Sequence, residues 1–408
     1  MDRLKLGVIF GSRSCEHEIS IISAVQLMRA VDSEVYEVIP VYISRKGEWY
    51  TGVPLFDMQT FIPFEEDRKD LTKVALDLTA GSGALTAIEP ATGLFGKDRQ
   101  RLIARLDCVI PVMHGAHGED GSLQGVFELC NIPYACSGVG SSAIGMDKVF
   151  MKQFFRGEWF PVLPGCWFLR SAWEADAGTV IEEIERELSY PVFVKPASLG
   201  SSIGVGRAMT RRELEEAMAT AFEFDRKVLV EKGIHNPLEL NCSVLGYNGE
   251  AEASEIEMPI TRGDLLSFFD KYSNNSAKGM ASLKRMLPAP IDPKLHREIQ
   301  ELSVKIFRNL DCKGVVRIDY MFSPADGRIY ITEINTIPGS LAFYLWEPSA
   351  LSYTSLIDRM VRYALKAQQE KDHNSYAYTS DILKRLALGG KAGIKTPSGN
   401  PQAAKGAI

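Results

Sequence analysis

The chain has 408 residues, and 46 Lys and Arg against 52 Asp and Glu give it a formal net charge of −6. Its length predicts about two to four domains, and 45% hydrophobic with 24% charged residues excludes collagen-like, disordered and disulfide-scaffold proteins. The acidic balance argues against a nucleic-acid partner or an anionic membrane surface.

No apolar run is long enough to cross a membrane, and the N-terminal residues show no signal-peptide pattern. The seven cysteines are scattered and include no Cys-x-x-Cys pair, so neither a zinc site nor a disulfide framework is predicted. We therefore expect a cytoplasmic protein whose thiols are reduced.

The first predicted unit, residues 1–136, is an open parallel sheet of the α/β class. Its apolar runs predict strands, and the stretch between the first two strands has helical periodicity. The strands are predicted over residues 6–11, 35–42 and 108–113, with a helix over 20–31. Residues 45–105 show few periodic signals and are predicted to form a less regular insert.

Two polar residues follow strands of this unit, at the sheet edge where open α/β folds bind ligands. Glu16 could hold a substrate ammonium group, or its charge could simply match the dipole of the following helix. His114 lies among glycines that permit a ligand to approach closely, although a lone histidine is more often structural. Both residues are candidates on this reasoning.

The second predicted unit, residues 137–233, contains a Ser/Gly-rich loop, 197–204, between two apolar strands. Such a loop can present backbone N–H groups and hydroxyls to phosphate oxygens, but the Walker pattern is absent. Lys195 lies at the end of the strand before the loop, and a buried lysine there needs an anionic partner. Lys148 is a second candidate for a phosphate contact, or else an ordinary solvated helix lysine.

The third predicted unit contains a hairpin with polar residues on one face. The position of its turn sets Asp319 opposite Glu333, and the same register sets Arg317 opposite Asn335. Oxygen ligands of this kind suit a hard cation such as Mg²⁺ that already carries phosphate. The alternative is a solvent-facing strand edge on which Arg317 neutralises the acids.

The C-terminal part of the chain divides into this third unit, residues 234–368, and a tail, residues 369–408. The tail is rich in Gly, Ala and Pro and has no hydrophobic periodicity. It is therefore predicted to be flexible.

Six segments of the chain, in the same order, resemble the motifs of the D-alanine–D-alanine ligase family. They are residues 11–20, 114–125, 137–148, 194–204, 317–319 and 333–339. The resemblance implies an ATP-grasp fold of two α+β subdomains, preceded by the N-terminal open parallel-sheet domain. It also implies the use of ATP, two Mg²⁺ ions with Mn²⁺ as a possible substitute, a homodimer, and a role in peptidoglycan precursor synthesis.

The same resemblance implies a role for each matching residue. Asp319, Glu333 and Asn335 would bind the Mg²⁺ ions. The ATP-binding residues would be Lys148, Lys195, Ser201, Ser202, Glu231, Lys232 and Glu239, with Glu231 and Lys232 at the adenine and Glu239 at the ribose. The residues that bind substrate or take part in catalysis would be Glu16, His114, Ser201, Lys271, Tyr272, Arg317 and Gly339.

Within that set, Glu16 would bind the ammonium group of the first D-alanine. Arg317 and the backbone N–H of Gly339 would stabilise the oxyanion, and Tyr272 would cap the site from a loop. The implied reaction activates a D-alanine carboxylate with ATP as an acyl phosphate, which a second amine then attacks. Such chemistry needs positioning and charge neutralisation more than a covalent nucleophile.

The segment after Gly339 departs from the family pattern because it is shorter than usual. Ser340 and Leu341 are the expected contacts of the second substrate's carboxylate, but their alignment is ambiguous. The acceptor is therefore D-alanine or, alternatively, D-serine, D-lactate or another amino acid. A catalytically inactive nucleotide-binding homologue is a further alternative, which the intact metal and phosphate residues disfavour. A carboxylase of the same architecture is another, which Glu16 and His114 disfavour.

Overall fold

The computed structural model describes residues 3–89, 99–260, 285–378 and 380–384. Two predicted site residues, Lys271 and Tyr272, and most of the predicted tail, 385–408, lie outside the described residues. The chain divides into two compact units, Met1–Gln368 and Gln369–Ile408. In the described part of the first unit there are three β-sheets. No helix in the described ranges is long and apolar enough to cross a membrane.

The N-terminal sheet has the parallel βαβ opening that the sequence predicted. β1 (Leu4–Gly11) pairs in parallel with β2 (Tyr36–Ile43) and with β7 (Cys108–Val112). α1 (His17–Ala30) connects β1 to β2. β1 has neighbours on both sides and is buried along most of its length. Its carboxyl end therefore delivers Glu16 to a fixed position at the sheet edge.

Four strands lie between residues 45 and 105, where the sequence predicted a less regular insert. They are β3 (Trp49–Thr51), β4 (Thr72–Leu76), β5 (Ala84–Glu89) and β6 (Arg99–Arg105), with 3₁₀ turns at Val53–Phe56 and Met58–Phe61. The sheet order is β6-β5-β4-β3-β2-β1-β7, and the added strands pair antiparallel. β3 and β4 are short, so pairing with neighbouring strands, more than alternation in their own sequence, defines them.

Three helices lead from the N-terminal sheet to the central one: α2 (Ser122–Cys130), α3 (Val139–Met146) and α4 (Lys148–Gly157). Asp147 caps α4, because its carboxylate accepts the N–H of Val149 at 3.0 Å and the N–H of Phe150 at 3.2 Å. The cap fixes the start of α4 at Lys148. Lys148 and Lys152 therefore lie one turn apart on the same helix face.

The central sheet is antiparallel, in the order β10-β9-β11-β8. Its strands are β8 (Gly165–Leu169), β9 (Val192–Pro196), β10 (Gly206–Ala208) and β11 (Lys227–Lys232). The helices that connect them are α5 (Arg170–Ala175), α6 (Ala177–Glu187) and α7 (Arg211–Phe224). Apolar side chains of α6 and α7 share one buried cluster with the valines of β9 and β11. This packing fixes the ends of β9 and β11, where Lys195 and Glu231 lie.

The C-terminal sheet has the order β14-β13-β12-β15-β16. Its strands are β12 (Leu238–Tyr247), β13 (Glu250–Pro259), β14 (Arg285–Met286), β15 (Gly314–Ser323) and β16 (Arg328–Asn335). α8 (Pro293–Asn309) joins the sheet in a shared buried cluster. Asp319 pairs with Glu333 and Arg317 with Asn335, which confirms the two predicted pairs, although a β-bulge between Asp319 and Tyr320 shifts the register nearer the turn.

After β16 the chain returns to the N-terminal sheet. A 3₁₀ segment, Gly339–Leu345, is followed by a second at Glu347–Ser349 and by α9 (Tyr353–Lys371). Apolar residues of this return, including Leu345, Trp346 and Leu356, belong to the same buried cluster as β1 and α1. The return therefore holds the exit of β16 against the N-terminal sheet.

Replacing Gly125 by alanine is expected to raise the free energy of unfolding by about 0.5–1 kcal/mol. Gly125 lies inside α2, and a Cβ added there meets no atom within 4 Å. Gly118→Ala is the contrasting variant, because its added Cβ would lie 2.4 Å from the Cβ of Met113 and should lower stability. Urea denaturation measures both effects. A Gly125→Ala variant no more stable than the wild type would contradict the expectation.

Candidate active site

A cavity of about 160 Å³ opens between the three sheets. Its walls include Glu16, His114, Glu119, Lys148, Lys195, Ser201, Arg317, Asp319, Glu333 and Asn335. A second cavity, of about 610 Å³, is lined by Glu231, Lys232 and Glu239. Lys195 and Glu239 line both cavities, so the two adjoin. The structure thus brings together candidates that lie far apart in the sequence.

The predicted carboxylate pair lies on two adjacent strands at the wall of the smaller cavity. Arg317 holds Asp319 through two contacts, Nε to Oδ1 and Nη2 to Oδ2, each 2.6 Å. Nδ2 of Asn335 also donates to Asp319, at 3.1 Å. Glu333 lies on the other strand, and its carboxylate is 3.7 Å from Nζ of Lys148. Each carboxylate therefore faces a cation, which reduces the repulsion between the two acids.

Arg317 is a buried but permanent charge. Burial opposes that charge, but Asp319, together with Tyr344 and Glu257, more than offsets burial and raises the pKa of Arg317 above its ordinary value. The guanidinium therefore remains available as a cation at every physiological pH.

The side chains of Asp319, Glu333 and Asn335 supply oxygen ligands, which suit a hard divalent cation. Within the part of the chain that the structure describes, no group of three His, Cys, Asp or Glu side chains could hold a metal ion alone. Two carboxylates and one amide would leave coordination positions for phosphate oxygens. The ligand set therefore fits a cation that arrives together with a nucleotide.

Lys195 enters the cavity from the end of β9 and is paired with a buried carboxylate. Its Nζ lies 2.6 Å from Glu231, whose side chain is 1% exposed. Lys152 of α4 forms an ion pair with the same carboxylate and is 2% exposed. Burial would raise the pKa of Glu231, but the charges of the two lysines lower it to about 2. Glu231 is thus ionised and holds both lysines in place.

The Ser/Gly-rich loop reaches from the central sheet to Glu16. Ser201 donates its hydroxyl to the Glu16 carboxylate, and Nζ of Lys148 donates to a backbone carbonyl of the same loop at 2.6 Å. Ser201 and Ser202 have φ values of 54° and 58° in the left-handed region. A Cβ at Gly200 would lie 2.8 Å from a Glu16 oxygen, so a larger residue there would require the Glu16 carboxylate to shift.

His114 is buried, and both of its ring nitrogens bond within the protein. Nδ1 lies 2.9 Å from the carbonyl oxygen of Ile337, so Nδ1 carries the proton. Nε2 then accepts the hydroxyl of Ser23, also at 2.9 Å. Burial lowers the pKa of His114 to about 4, and the ring is neutral. His114 therefore ties the exit of β16 to α1, while its ring lines the cavity.

Glu119 is a second buried carboxylate near Glu16. Its Oε2 accepts the N–H of Gly115 at 2.9 Å, and its Oε1 accepts the N–H of Ile337 at 3.0 Å. Burial, and after it the charge of Glu16, raise the pKa of Glu119 to about 8. Glu119 therefore holds a proton at neutral pH while it bridges the turn after β7 to the exit of β16.

A pH series on the Glu119→Gln variant tests this raised pKa. The pKa of Glu119 rises on folding, from 4.5 to about 8. Below pH 4.5 the group is protonated in both states and costs no stability. As the pH rises toward 8, only the unfolded state ionises freely, so the folded state loses stability. The variant lacks this titration, so the stability advantage of the wild type should shrink over that range. Urea denaturation at each pH measures the difference, and a constant difference would contradict the expectation.

The segment after Gly339 turns away from the cavity. Residues 340–342 have φ values of 50°, 52° and 50°, three consecutive left-handed conformations. The N–H and the hydroxyl of Ser340 donate to side chains of α1 at 3.1 and 2.8 Å, and Leu341 is 1% exposed in the apolar core. Gly339 lines the cavity. The structure does not bring the other two expected acceptor residues to its wall, because the left-handed turn directs them into α1 and the core.

Two family models match the chain. The model described as "D-ala D-ala ligase N-terminus" matches residues 5–137, and the model described as "D-ala D-ala ligase C-terminus" matches residues 155–362. The chain belongs to the D-alanine–D-alanine ligase family. The resemblance drawn from the six sequence motifs is thereby confirmed.

Relatives within the D-alanine–D-alanine ligase family match along nearly the whole chain. The D-alanine–D-alanine ligase of Natranaerobius thermophilus is 39% identical over 382 residues, which cover 92% of this chain and 98% of the relative. That of Bacillus cytotoxicus is 35% identical over 381 residues, which cover 92% of this chain and 99% of the relative.

Solved structures of D-alanine ligases share the fold. The VanG D-Ala:D-Ser ligase of Enterococcus faecalis has a TM-score of 0.74 at 31% identity, covering 89% of this chain and 100% of that one. The D-alanine–D-alanine ligase of Coxiella burnetii has a TM-score of 0.73 at 26% identity, covering 96% and 100%. The chain therefore has the ATP-grasp fold of this ligase family, preceded by the N-terminal α/β sheet.

Four charged residues in and beside the ligase cavity escaped the sequence analysis. They are Glu119, Lys152, Glu257 and Arg285. Lys152 had a signal, since it lies four residues after Lys148 on one helix face. Glu119 lies within the motif of residues 114–125, which does not by itself indicate a role for this carboxylate. Glu257 and Arg285 had no motif to mark them and become visible only through the strand pairing of the C-terminal sheet.

Proposed function

We propose that this ligase-family chain joins two D-alanine molecules into a dipeptide while ATP is converted to ADP and phosphate. The observation that carries the proposal is the cavity, where Glu16, Arg317 and the lysines converge in a chain that matches both family models. The dipeptide would supply peptidoglycan precursor synthesis. The chain would thus be an ATP-dependent carbon–nitrogen ligase.

The donor D-alanine would lie with its ammonium group at Glu16. This carboxylate is 8% exposed, lines the cavity and accepts the hydroxyl of Ser201. On the C-terminal side of the cavity, Arg317 and the N–H of Gly339 would receive the oxyanion that forms at the donor carbonyl. Because Arg317 is 8% exposed and held by Asp319, its charge would need no reorganisation during the reaction.

The ATP phosphates would lie between Lys148 and Lys195. Both lysines line the smaller cavity, and both are held by protein carboxylates, Lys148 at 3.7 Å and Lys195 at 2.6 Å. Ser201 and Ser202, whose left-handed backbone shapes the loop, would add backbone N–H groups to the phosphate contacts.

The nucleoside would occupy the larger cavity. Lys232 and Glu239 line it, in keeping with adenine and ribose contacts, and Lys195 joins it to the phosphate region. Glu231 lines the same cavity, but its carboxylate is engaged by two lysines. Its contribution to nucleotide binding would therefore act chiefly through the position of Lys195.

Asp319, Glu333 and Asn335 would hold Mg²⁺ together with the phosphate oxygens of ATP. We propose two ions, with Mn²⁺ as a possible substitute. A divalent cation bound by these residues would supply positive charge beside the transferring phosphoryl group. Two features of the chain would prepare this site for the cation. The pairing of β15 with β16 sets Asp319 opposite Glu333, and the contact with Arg317 orients the Asp319 carboxylate.

The reaction would have two steps. The donor carboxylate attacks the γ-phosphorus of ATP, a P–O bond forms, and ADP leaves, which gives an acyl phosphate. The acceptor ammonium group loses one proton to solvent, and the amine attacks the acyl carbon. A C–N bond forms, the C–O bond to phosphate breaks, and phosphate leaves with the second proton of the amine. Lys148 and Lys195 would position the phosphoryl group and Arg317 the carbonyl, in keeping with the demand for positioning and charge in phosphoryl transfer.

A ligase with a different acceptor is the second candidate. The observation that favours it is the burial of Ser340 and Leu341, which leaves the acceptor's carboxylate without its expected contacts. One solved structure of this fold is named a D-Ala:D-Ser ligase. D-serine is therefore the first alternative acceptor, followed by D-lactate or another amino acid.

We propose that the chain is organised in four segments, 1–136, 137–233, 234–368 and 369–408. Lys271 and Tyr272 would cap the cavity. The enzyme would act in the cytoplasm as a homodimer, without a nucleic-acid or membrane partner.

A phosphate-release assay tests the proposed function. The chain would be incubated with ATP, Mg²⁺ and a panel of single and paired D- and L-amino acids, and the products would be identified by mass. We expect phosphate release that depends on D-alanine and yields the dipeptide. The absence of D-alanine-dependent release would overturn the proposal. Release only with a mixed pair would support the second candidate in its place.

A further inference from the structure

A second buried ion pair lines the smaller cavity, away from the predicted metal and phosphate residues. Nη1 of Arg285 lies 2.8 Å from Oε2 of Glu257, and their side chains are only 10% and 3% exposed. The Arg285 guanidinium also stacks on the ring of Tyr344, 3.8 Å from its centroid. Both Arg285 and Glu257 are cavity-lining residues. We define Arg285, Glu257, Tyr344 and Asn241 as the Arg285 cluster.

Glu257 is the centre of the Arg285 cluster. Besides Arg285, its carboxylate accepts Nδ2 of Asn241 at 2.9 Å and the hydroxyl of Tyr344 at 3.3 Å. These bonds hold Glu257 in one orientation, and Tyr344 supports the guanidinium from its flat side. Arg285 is therefore pre-ordered at the cavity wall, with its plane fixed by stacking and by an ion pair.

The Arg285 cluster faces the same side of the sheet as the predicted metal residues. Strand pairing sets Glu257 beside Asn241, Asn241 beside Asp319, and Asp319 beside Glu333, so these four form one row across four strands. Paired residues project from the same face. The predicted metal residues are at the β15–β16 end of the row, and the Arg285 cluster is at the opposite, β13–β14 end.

The guanidinium of Arg285 adjoins the part of the cavity where the predicted oxyanion residues, Arg317 and Gly339, lie. Tyr344, on which it stacks, belongs to the 3₁₀ segment that begins at Gly339. Arg317, the predicted oxyanion contact, is within electrostatic range of both Tyr344 and Glu257. A carboxylate that binds Arg285 would therefore be close to the point where the acceptor amine must attack.

The carboxylate of an acceptor amino acid requires a polar or cationic partner close to the point where its amine attacks. Its carboxylate carbon is separated from the attacking amine by a single carbon atom, so the carboxylate must enter the cavity together with the amine. The two residues expected to meet it, Ser340 and Leu341, are buried against α1 and the core. An arginine fork matches a carboxylate in shape and charge.

We propose that Arg285, held by Glu257 and Tyr344, binds the α-carboxylate of the acceptor and makes the enzyme select acceptors that carry one. The inference rests on the proposed ligase function and names the acceptor subsite of the same cavity. Arg285 is a substrate-binding, specificity-determining residue in this proposal.

The test compares D-alanine with D-alaninamide as acceptors, in the presence of ATP and D-alanine as the donor. D-alaninamide has no free carboxylate, so it cannot be phosphorylated as a donor and reports on the acceptor subsite alone. We expect the wild type to prefer D-alanine over the amide in acceptor kcat/KM. In Arg285→Gln, kcat/KM for acceptor D-alanine should fall roughly 10- to 100-fold, the range of a charge-assisted hydrogen bond. The value for the amide should change little.

Two further variants sharpen the result. Arg285→Lys keeps the charge but not the fork, and should retain part of the preference for D-alanine over the amide. It also serves as the test variant if Arg285→Gln does not fold. Arg328→Gln, at the exposed first residue of β16, is the matched control and should behave as the wild type.

Several outcomes would overturn the assignment. One is an equal loss of kcat/KM for D-alanine and for D-alaninamide in the Arg285 variants. The others are an unchanged ratio of the two kcat/KM values, or a rise confined to the KM for ATP. Each would leave the ligase function standing. A wild-type chain that forms no dipeptide with any amino acid would instead refute the proposed function, so the two failures are distinguishable.

Discussion

Replacing Glu333 by glutamine is expected to lower kcat by roughly 10²- to 10³-fold, since a bound cation contributes several kcal/mol to phosphoryl transfer. Glutamine keeps the size of the side chain but removes the negative charge that lies opposite Asp319 in the predicted metal site. The same change removes the counter-charge of Lys148, which lies 3.7 Å away. Phosphate release at saturating ATP and D-alanine measures kcat, and a Mg²⁺ titration measures the concentration needed for half-maximal rate.

The metal assignment requires that kcat and the Mg²⁺ requirement change together. In Glu333→Gln we expect the half-maximal Mg²⁺ concentration to rise, because one anionic ligand is lost. Asp326→Asn, at the exposed turn of the same hairpin, is the matched control and should leave both quantities unchanged. A Glu333→Gln enzyme with a near-normal kcat and an unchanged Mg²⁺ requirement would remove Glu333 from the predicted metal site.

The hairpin illustrates how far sequence reasoning could reach. The alternation of two strands and an assumed turn centre predicted that Asp319 faces Glu333 and Arg317 faces Asn335, and the structure has both pairs. The turn by itself sets a different register, with Tyr320 opposite Ile331, and a β-bulge after Asp319 shifts the pairing by one residue. The insert between residues 45 and 105 also pairs strands that are consecutive in the chain, but β3 has only three residues and β4 five, too few for a clear alternation pattern.

The acceptor side of the cavity shows where sequence reasoning stops. Glycine usually marks a left-handed turn in a sequence, but the turn at residues 340–342 contains none. The sequence therefore does not predict that Ser340 and Leu341 point away from the cavity. The ion pair between Arg285 and Glu257 could not be predicted either, because the two residues lie on different strands and meet only through sheet pairing. Long-range contacts of this kind depend on the complete fold.

Replacing Glu231 by glutamine is expected to lower the free energy of unfolding by about 3–5 kcal/mol, the cost of leaving buried charge without its partner. Lys152 and Lys195 would then share a buried site without a carboxylate between them. Lys152→Met is the matched variant. It removes one of the two cations and leaves Glu231 paired with Lys195, so its loss should be clearly smaller. Urea denaturation at neutral pH measures both variants.

The pH dependence of the Glu231→Gln variant separates lost charge pairing from lost packing. Burial already lowers the pKa of Lys152, and in the wild type the charge of Glu231 opposes that shift. Without Glu231, Lys152 should lose its proton more readily. A lysine whose pKa is lowered on folding costs stability at neutral pH, and this cost disappears as the pH rises toward 10.5, its ordinary value.

Glu231→Gln should therefore recover stability relative to the wild type as the pH increases, whereas Lys152→Met, which lacks the titrating lysine, should not. A deficit in Glu231→Gln that stays constant with pH would mean that the carboxylate contributes by shape alone. In that case the position of Lys195 at the proposed phosphate site would not depend on its ion pair.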